Sequence, residues 1–203
     1  MKHRILTRFF VALGIAWFVL WACAPMSSNP PPTPMPEAAK GELGAGFNGG
    51  ATVIVDEWCE AYVFPLGNVQ AWGRFKAGPD KQDEAGVIAQ MGLPSFVSMG
   101  GYYRKTLART DKAYVGAQFD IGGFWLGTSL PTAYRLTDSL WLTTMPGLRA
   151  SNASNIELPI GIGWQAKDTV RFDMEIGTHF LFADELYEYD YAGYCAMGAS
   201  GSF

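Results

Sequence analysis

The sequence predicts an all-β protein in which residues 41–203 form an antiparallel up-and-down meander. Apolar and polar side chains alternate along most of this range, which is the period of a β-strand whose two faces meet different surroundings. Short polar turn signals recur at nearly constant spacing between the alternating runs. The composition agrees, because 14% of the residues are aromatic, 24 are glycine and only 17% are charged, against about 25% in an average soluble domain.

Residues 1–22 have the organisation of a signal peptide. A basic start precedes an uncharged apolar run from Phe9 to Ala22, which is shorter than the ~20 residues that a transmembrane helix needs. The run ends in the motif Leu-Trp-Ala-Cys at 20–23, which resembles the lipobox of bacterial lipoproteins. This resemblance implies acylation of Cys23, with palmitate-type chains, and Ala24 after it resembles lipoproteins sorted to the outer membrane. Ordinary secretory cleavage after Ala24 is the alternative.

Residues 23–40 are predicted to be the lipidated cysteine and a proline-rich linker outside the fold. Six prolines lie between residues 24 and 40, and proline supplies no N–H for a helix or a sheet ladder. Such a composition favours extended polyproline II, at ~3.1 Å per residue. The segment is interpreted as a spacer between the lipid and the domain, or alternatively as a disordered, cleavable stretch.

The alternation is clearest in four segments of the predicted meander. Along 170–176, Val, Phe, Met and Ile share one face, and Arg, Asp and Glu share the other. Along 158–165, Leu, Ile and Trp oppose Pro, Gly and Gln. Along 114–121, Val, Ala, Phe and Ile oppose Tyr, Gly, Gln and Asp, and along 187–191 tyrosines oppose acids. Each pattern predicts a strand with one apolar face.

Tight turns and looser loops alternate between these strands. A first strand at about 41–55 and a last one at about 188–200 bring the total to ten strands, with eight as the alternative if the terminal segments do not fully pair. The turns are predicted at 78–81, 109–112, 137–139 and 166–169, and the loops at 93–95, 127–131, 149–155 and 183–186.

This organisation resembles small bacterial outer-membrane β-barrels, which have short periplasmic turns and longer external loops. The resemblance is architectural, covers nearly the whole chain after the leader, and implies a closed transmembrane barrel. An even number of strands would place both chain termini on the same side of the membrane, as a lipid anchor in the periplasmic leaflet requires. The C-terminal Phe203 also resembles the terminal aromatic residue of such barrels.

Alternation alone does not decide which face meets water. A soluble lipocalin-like barrel would bury its apolar face around an apolar ligand, whereas a membrane barrel turns that face to lipid. Glycine recurs on the polar faces, as at Gly116 beside Gln118, and a narrow lumen limits side-chain volume where a solvated face does not. We therefore expect a polar lumen, plugged by paired charges or alternatively open as a narrow channel. The charges predicted to point inward are Arg74, Lys76, Arg104, Asp120, Arg171, Asp173 and Glu175.

Aromatic residues near both ends of the strands are predicted to form girdles at the two lipid–water interfaces. The residues of this prediction are Trp141 and Trp164 beside tight turns, and Trp125, Tyr187, Tyr189 and Tyr191 beside loops.

The cysteines suggest a disulfide at the seam of the barrel. If Cys23 is acylated, Cys59 and Cys195 are the two thiols that remain, in an oxidising compartment. They lie on the first and last parts of the meander, which are neighbours when a barrel closes. A bridge would contribute about 2–4 kcal/mol, and two unpaired thiols are the alternative.

No catalytic residue, metal site or cofactor is predicted, apart from the covalent lipid. Residues 44–49 match G-x-G-x-x-G by letters, but a proline-rich segment precedes them and a β-type run follows, so a dinucleotide site is rejected. His179 is expected at the rim near the loop end of its strand, where barrel lipid hydrolases carry a histidine. The acids within 184–190 are expected to form a solvated loop rather than a calcium site.

The predicted function is that of a non-enzymatic, lipid-anchored component of the bacterial outer membrane, with a structural or surface-binding role. A periplasmic lipocalin-like lipoprotein, a lipid-modifying enzyme and a narrow channel are the alternatives. Outer-membrane lipid is the predicted partner. Nucleic acid is not expected, because three of the 15 basic residues lie in the leader and the rest of the chain carries 12 basic against 19 acidic residues.

Overall fold

The computed structural model describes residues 31–55, 61–93, 97–122, 125–150, 154–182 and 189–203. They form one antiparallel sheet of twelve β segments. No helix within these ranges is long and apolar enough to cross a membrane. The segments are β1 (Gly41–Val55), β2 (Ala61–Ala77), β3 (Asp83–Leu93), β4 (Ser98–Arg109), β5 (Ala113–Gly122), β6 (Leu126–Ser129), β7 (Thr132–Arg135), β8 (Leu140–Thr144), β9 (Gly147–Ala150), β10 (Ser154–Lys167), β11 (Val170–Phe182) and β12 (Tyr189–Ser202).

The sheet closes on itself as a barrel of ten strands. β6 and β7 both pair with β5, and β8 and β9 both pair with β10, so each of these two couples is one barrel strand in two pieces. β1 pairs with β12 along its length, from Glu42 opposite Ser202 to Val53 opposite Tyr191. The predicted all-β meander, its closure and its strand number are confirmed.

Two prolines interrupt the wall without ending it. Pro131 separates β6 from β7, and Pro146 separates β8 from β9. The carbonyl of Pro131 still accepts from the N–H of Gly116 at 2.8 Å, and that of Pro146 accepts from the N–H of Leu130 at 2.9 Å. The loop predicted at 127–131 is therefore wrong: the turn-forming Gly, Ser and Pro of this segment lie within a strand, because proline keeps its acceptor although it lacks a donor.

The barrel has a turn end and a loop end. Each of the four predicted turns contains a connection between consecutive strands at the turn end, where β1 starts and β12 finishes, although Arg109 still belongs to β4 and residues 166–167 to β10. There the N–H of Lys40 donates to the carbonyl of Phe203 at 2.7 Å, which fixes the chain ends to each other. The first strand has its predicted bounds, and the last runs two residues beyond the predicted end at 200.

The apolar faces of the strands point outward. On β10, four side chains are each about half exposed, at 48–52%: Leu158, Ile160, Ile162 and Trp164. Glu157, which precedes Leu158 and points to the opposite face of the strand, is 1% exposed. Large apolar side chains are exposed in the same way around the wall, which suits a hydrocarbon surround and not water. The lipocalin-like alternative, which needs the apolar face inside, is wrong.

Residues 31–39, called the strap here, run from the lumen of the barrel, where residues 31–33 and Met35 are buried, to its turn end, where Glu37 and Ala38 are exposed. Thr33 and Met35 are each 1% exposed, and Ala39 is also buried. The N–H of Ala39 donates to the carbonyl of Pro36 at 3.2 Å, which turns the strap inward just before β1 begins. The prediction that residues 23–40 are a linker outside the fold is therefore wrong for the strap, and its remainder up to residue 30 lies outside the described residues.

Candidate functional site in the barrel lumen

Six charged side chains form a cluster in the lumen near the turn end, called the turn-end cluster. They lie close to the starts or ends of their strands and alternate with the outward apolar residues. Two pairs are direct cross-strand neighbours, Glu42 with Arg74 and Glu84 with Arg104, and such pairs bring side chains on one face together. The cluster consists of Glu42, Arg74, Glu84, Arg104, Arg171 and Asp173.

Ion pairs link the turn-end cluster into one network. Arg74 donates to Glu42 at 2.9 Å and to Glu84 at 3.0 Å. Glu84 also accepts from Arg104 at 3.1 Å, and Glu42 also accepts from Arg171 at 2.7 Å. Arg171 completes the network by donating to Asp173 at 3.1 Å. Three guanidinium groups thus face three carboxylates, which offsets the cost of removing these charges from water.

The strap crosses this cluster and is held through its backbone. Arg74 donates from Nη1 to the carbonyl of Thr33 at 2.8 Å, and Arg104 donates from Nη1 to that of Pro31 at 3.0 Å. The N–H of Met35 donates to Glu84 Oε1 at 2.9 Å. The strap therefore fills the lumen where the charged network lies, and its peptide groups meet donors and acceptors of the wall.

The proline pattern suits a segment enclosed in a lumen. Residues 31–36 read Pro-Pro-Thr-Pro-Met-Pro, so Thr33 and Met35 carry the two backbone N–H groups of this stretch. An unbonded N–H is costly away from water, and proline removes it while holding the backbone extended. The composition that predicted a solvated spacer thus also suits an enclosed plug.

A second group of charges, the loop-end cluster, lies towards the other end of the lumen. It consists of Asp120, Arg149, Glu157 and His179. Arg149 donates to Glu157 at 2.6 Å and to Asp120 at 3.4 Å. His179 Nδ1 lies 3.2 Å from the same Glu157 oxygen. Glu175 lies between the two clusters and accepts from the Tyr194 hydroxyl at 2.7 Å.

The seven charges predicted to point inward do not all lie in the same surroundings. Arg74, Arg104 and Arg171 belong to the turn-end cluster with the half-buried Asp173. Asp120 belongs to the loop-end cluster, and Glu175 lies between the clusters. Lys76 lies at the turn end, where its ammonium donates to the carbonyl of Glu37 in the strap.

Sequence reasoning missed four residues that complete the clusters: Glu42, Glu84, Arg149 and Glu157. Glu42 was hidden in a glycine-rich run, and Arg149 lay in a predicted loop. Pairing the strands around the turn at 78–81 and the following loop would have placed Glu84 beside Arg104, so a signal for that residue was present.

The aromatic-girdle prediction is wrong for two of its tryptophans. Trp125 is 6% exposed and lies with its ring 5.3 Å from the Arg149 guanidinium. Trp141 is half-buried on the inner side of β8, and the guanidinium group of Arg135 lies 5.2 Å from the centre of its ring. Trp164 does point outward and stacks on Phe172 at 5.7 Å. Tyr187 lies outside the described residues, as do the side chains of Tyr189 and Tyr191.

The predicted disulfide is not found. Cys195 is a free, exposed thiol on β12, directly opposite Gly49 of β1. Along β1, Gly49 lies six residues before Val55, the last described residue before the segment that contains Cys59. Cys59, which follows that strand end, and Cys23, the predicted lipid site, lie outside the described residues.

The lumen opens at the turn end into a cavity of about 1060 Å³, called the vestibule. Strap residues 34–38 form part of its wall, and the rest comes from the turns and strand ends, with basic and acidic side chains together. Within the described ranges, no group of three or more His, Cys, Asp or Glu side chains is placed to hold a metal ion. The strap thus separates a wide polar mouth from the remainder of the lumen.

Solved bacterial outer-membrane proteins share this fold. The barrel resembles the COG4313 outer membrane channel from Pseudomonas putida F1, with a TM-score of 0.54 and 8% identity, over 88% of this chain and 100% of that one. It also resembles the outer membrane protease OmpT from Escherichia coli, with a TM-score of 0.50 and 8% identity, over 84% of this chain and 98% of that one. A third similar structure is the KdgM porin in complex with disordered oligogalacturonate, with a TM-score of 0.50 and 10% identity, over 80% of this chain and 99% of that one.

No protein-family model matches the chain, and no curated protein matches it in sequence. At such low identities the likeness concerns the fold alone. The fold is that of the bacterial outer-membrane β-barrels.

Proposed function

We propose that this chain is a non-enzymatic outer-membrane barrel whose lumen is closed by its own strap. One observation carries the proposal: a wall with its large apolar side chains outside encloses a lumen in which the strap lies across a paired network of charges. The wall suits a bilayer, and the filled lumen suits a structural or surface-binding component better than an open pore. The turn end with the vestibule would face the periplasm, and the loops would face outward.

The histidine in the lumen supports a non-enzymatic role. His179 is 3% exposed and lies against Glu157 and Tyr194. A histidine that takes a proton from water attacking a lipid must reach that lipid, and this one faces away from the outer wall. We expect His179→Ala and the unchanged chain to give the same lipid hydrolysis as vesicles without protein; hydrolysis that the substitution abolishes would contradict this part.

Conductance in planar bilayers tests the closed lumen. The purified full chain, inserted from detergent, is expected to give no discrete current steps. Insertion is checked in the same preparation by the change in gel migration between unheated and heated samples that folded barrels show. Reproducible openings in a preparation that is folded by this criterion would contradict the closed lumen and support the narrow-channel alternative.

The outward-facing apolar wall makes a second test available. The chain without its leader and Cys23 is expected to need detergent or lipid in order to remain folded and monomeric, because its large apolar side chains are exposed. A monomeric folded chain in plain buffer, seen by size-exclusion chromatography with light scattering, would overturn the outer-membrane assignment.

A lipid anchor on Cys23 is the last part of the proposal. Its support is the lipobox-like sequence at 20–23, since two or more acyl chains are needed for lasting attachment. Cells fed labelled palmitate are expected to label the full chain and not its Cys23→Ser variant. Equal labelling of both chains, or of neither, would remove the anchor without affecting the closed lumen.

A further inference from the structure

We propose that the strap occupies a peptide-binding site and can be exchanged for another extended, proline-rich peptide that enters from the vestibule. The inference rests on the closed lumen proposed above and adds a ligand class to it. The site is the inner surface of the turn-end cluster, where two guanidinium groups and one carboxylate hold three peptide groups of the strap.

Side chains of the wall bond to backbone groups of the strap at a fixed spacing. Carbonyls at residues 31 and 33 accept from Arg104 and Arg74, and the N–H at residue 35 donates to Glu84. Successive contacts therefore lie two residues apart on an extended chain. A peptide with proline between these positions presents the same acceptors and donor and brings few unbonded N–H groups into the lumen.

The wall keeps its charge balance without the strap. Each ion pair of the turn-end cluster joins two barrel residues, and the strap contributes no charged side chain to it. The hydroxyl of Thr33, although buried, has no hydrogen-bond partner among the described residues. The one charged residue of the strap, Glu37, has an 89% exposed side chain and lies 3.7 Å from Arg109. Withdrawal of the strap would therefore leave no unpaired carboxylate or guanidinium in the turn-end cluster, and it would break only the exposed pair with Arg109.

The geometry also offers a route for exchange. The strap joins the barrel at Lys40, which is held to Phe203 at the seam, so the seam would stay closed while the strap leaves. Residues 34–38 already border the vestibule, which has room for a second peptide beside them. At the deep end, the buried Pro31 and Pro32 border a space of about 20 Å³, which is room for about one water molecule.

Thiol accessibility tests the exchange in the full chain. Thr33→Cys is introduced together with Cys59→Ser and Cys195→Ser, and labelling by a water-soluble maleimide is followed in outer-membrane vesicles permeable to the reagent. Lys81→Cys, at an exposed turn position, is the accessible control. The probe is the peptide PPTPMPEA, which has the sequence of residues 31–38, and the control peptide AATAMAEA has alanine at each proline.

The introduced thiol is expected to be protected without peptide and to label about tenfold faster with a saturating concentration of the proline-rich peptide, as displacement by mass action requires. The alanine peptide should leave the rate unchanged. Protection that the peptide does not alter would overturn the exchange but leave the closed lumen intact. Labelling at the rate of the Lys81→Cys control without peptide would overturn both.

A second pair of variants isolates one contact. Met35→Pro removes the N–H that bonds Glu84 and keeps the extended conformation, whereas Met35→Leu keeps the N–H and a similar volume. In the Thr33→Cys chain, the proline variant is expected to raise the peptide-free labelling rate about tenfold, and the leucine variant to leave it unchanged. Equal rates in both variants would mean that the backbone contact does not hold the strap.

Discussion

The two ends of the lumen solve the problem of enclosed charge in different ways. The turn-end cluster sets three arginines against three acids, and most of its members have two partners of opposite charge. The loop-end cluster, as far as the structure describes it, contains one arginine, Arg149, which pairs with both Asp120 and Glu157. At the turn end the opposite charges are equal in number and most of them share partners, whereas at the loop end two carboxylates depend on a single guanidinium group.

Both ends keep buried polar atoms without a hydrogen-bond partner among the described residues, such as the Thr33 hydroxyl at the turn end. Near the loop-end cluster, the second oxygen of Glu157 and the side-chain amides of Asn48 and Asn155 are buried without a hydrogen-bond partner among the described residues. Buried polar atoms of this kind are usually bonded by water. What distinguishes the turn end is the strap, whose carbonyls and one N–H bond to the charged side chains of the wall. The turn end is therefore the end that a segment of the chain itself fills.

Arg149→Met should have the largest effect, because it leaves Glu157 and Asp120 without their shared cation. Removing one partner of a buried ion pair costs about 3–5 kcal/mol, and we expect a loss of about 4 kcal/mol in the free energy of unfolding. Urea unfolding of the folded chain in detergent, followed by tryptophan fluorescence, measures it. The double variant Arg149→Met with Glu157→Gln should recover part of the loss. A loss below about 1 kcal/mol would show that the loop end does not depend on this arginine.

Arg74→Met should cost less, although Arg74 is among the most buried side chains. Glu42 keeps its pair with Arg171, and Glu84 keeps its pair with Arg104. We expect a loss of about 2 kcal/mol, close to that of hydrogen bonds to charged groups, in the same urea experiment. A loss as large as that of Arg149→Met would end the distinction between a shared and a dependent network.

Much of this comparison could be predicted from the sequence, because alternation fixes which side chains share a face. On β10 and β11, period 2 placed Leu158 and Phe172 outside and Arg171 inside, as the structure has them. Wall strands have no competing helical pattern, and the short turns mark their ends. The fold class and the strand number follow from these two local signals.

The missing parts depend on contacts between distant segments. Composition alone cannot distinguish a proline-rich linker in solvent from one enclosed in a lumen, so the strap was placed outside the fold. A loop was predicted up to Pro131, but the barrel strand continues there because the N–H of Gly116 on β5 donates to the carbonyl of Pro131. Trp125 was assigned to the lipid interface by its position, but its indole N–H donates to Ser98 and its ring lies on Arg149. Partners far apart in the chain decided each of these.

Gly44→Ala should reveal whether the turn end is packed as tightly as its charges are paired. A Cβ at Gly44 would lie 2.3 Å from the Trp72 ring, whereas a Cβ at Gly193 on the outer wall meets no atom within 4 Å. Forcing a methyl group into a packed site costs about 1–3 kcal/mol, and we expect about 1.5 kcal/mol for Gly44→Ala. Gly193→Ala is the matched control and should change stability by less than about 0.5 kcal/mol. Equal losses in the two variants would mean that Trp72 moves aside freely, and that the turn end is closed by charge pairing rather than by packing.

Arg109→Met should have the smallest effect, because its pair with Glu37 is at the mouth of the vestibule and not in the enclosed lumen. The two charged groups are 3.7 Å apart, and the side chain of Glu37 is 89% exposed. Exposed pairs of this kind contribute about 0–1 kcal/mol and weaken with salt. We therefore expect a loss within about 0.5 kcal/mol, which disappears in high salt. A loss near that of Arg74→Met would extend the shared network of the turn end outward through the strap, since Glu37 would then have to join Arg109 to the buried charges.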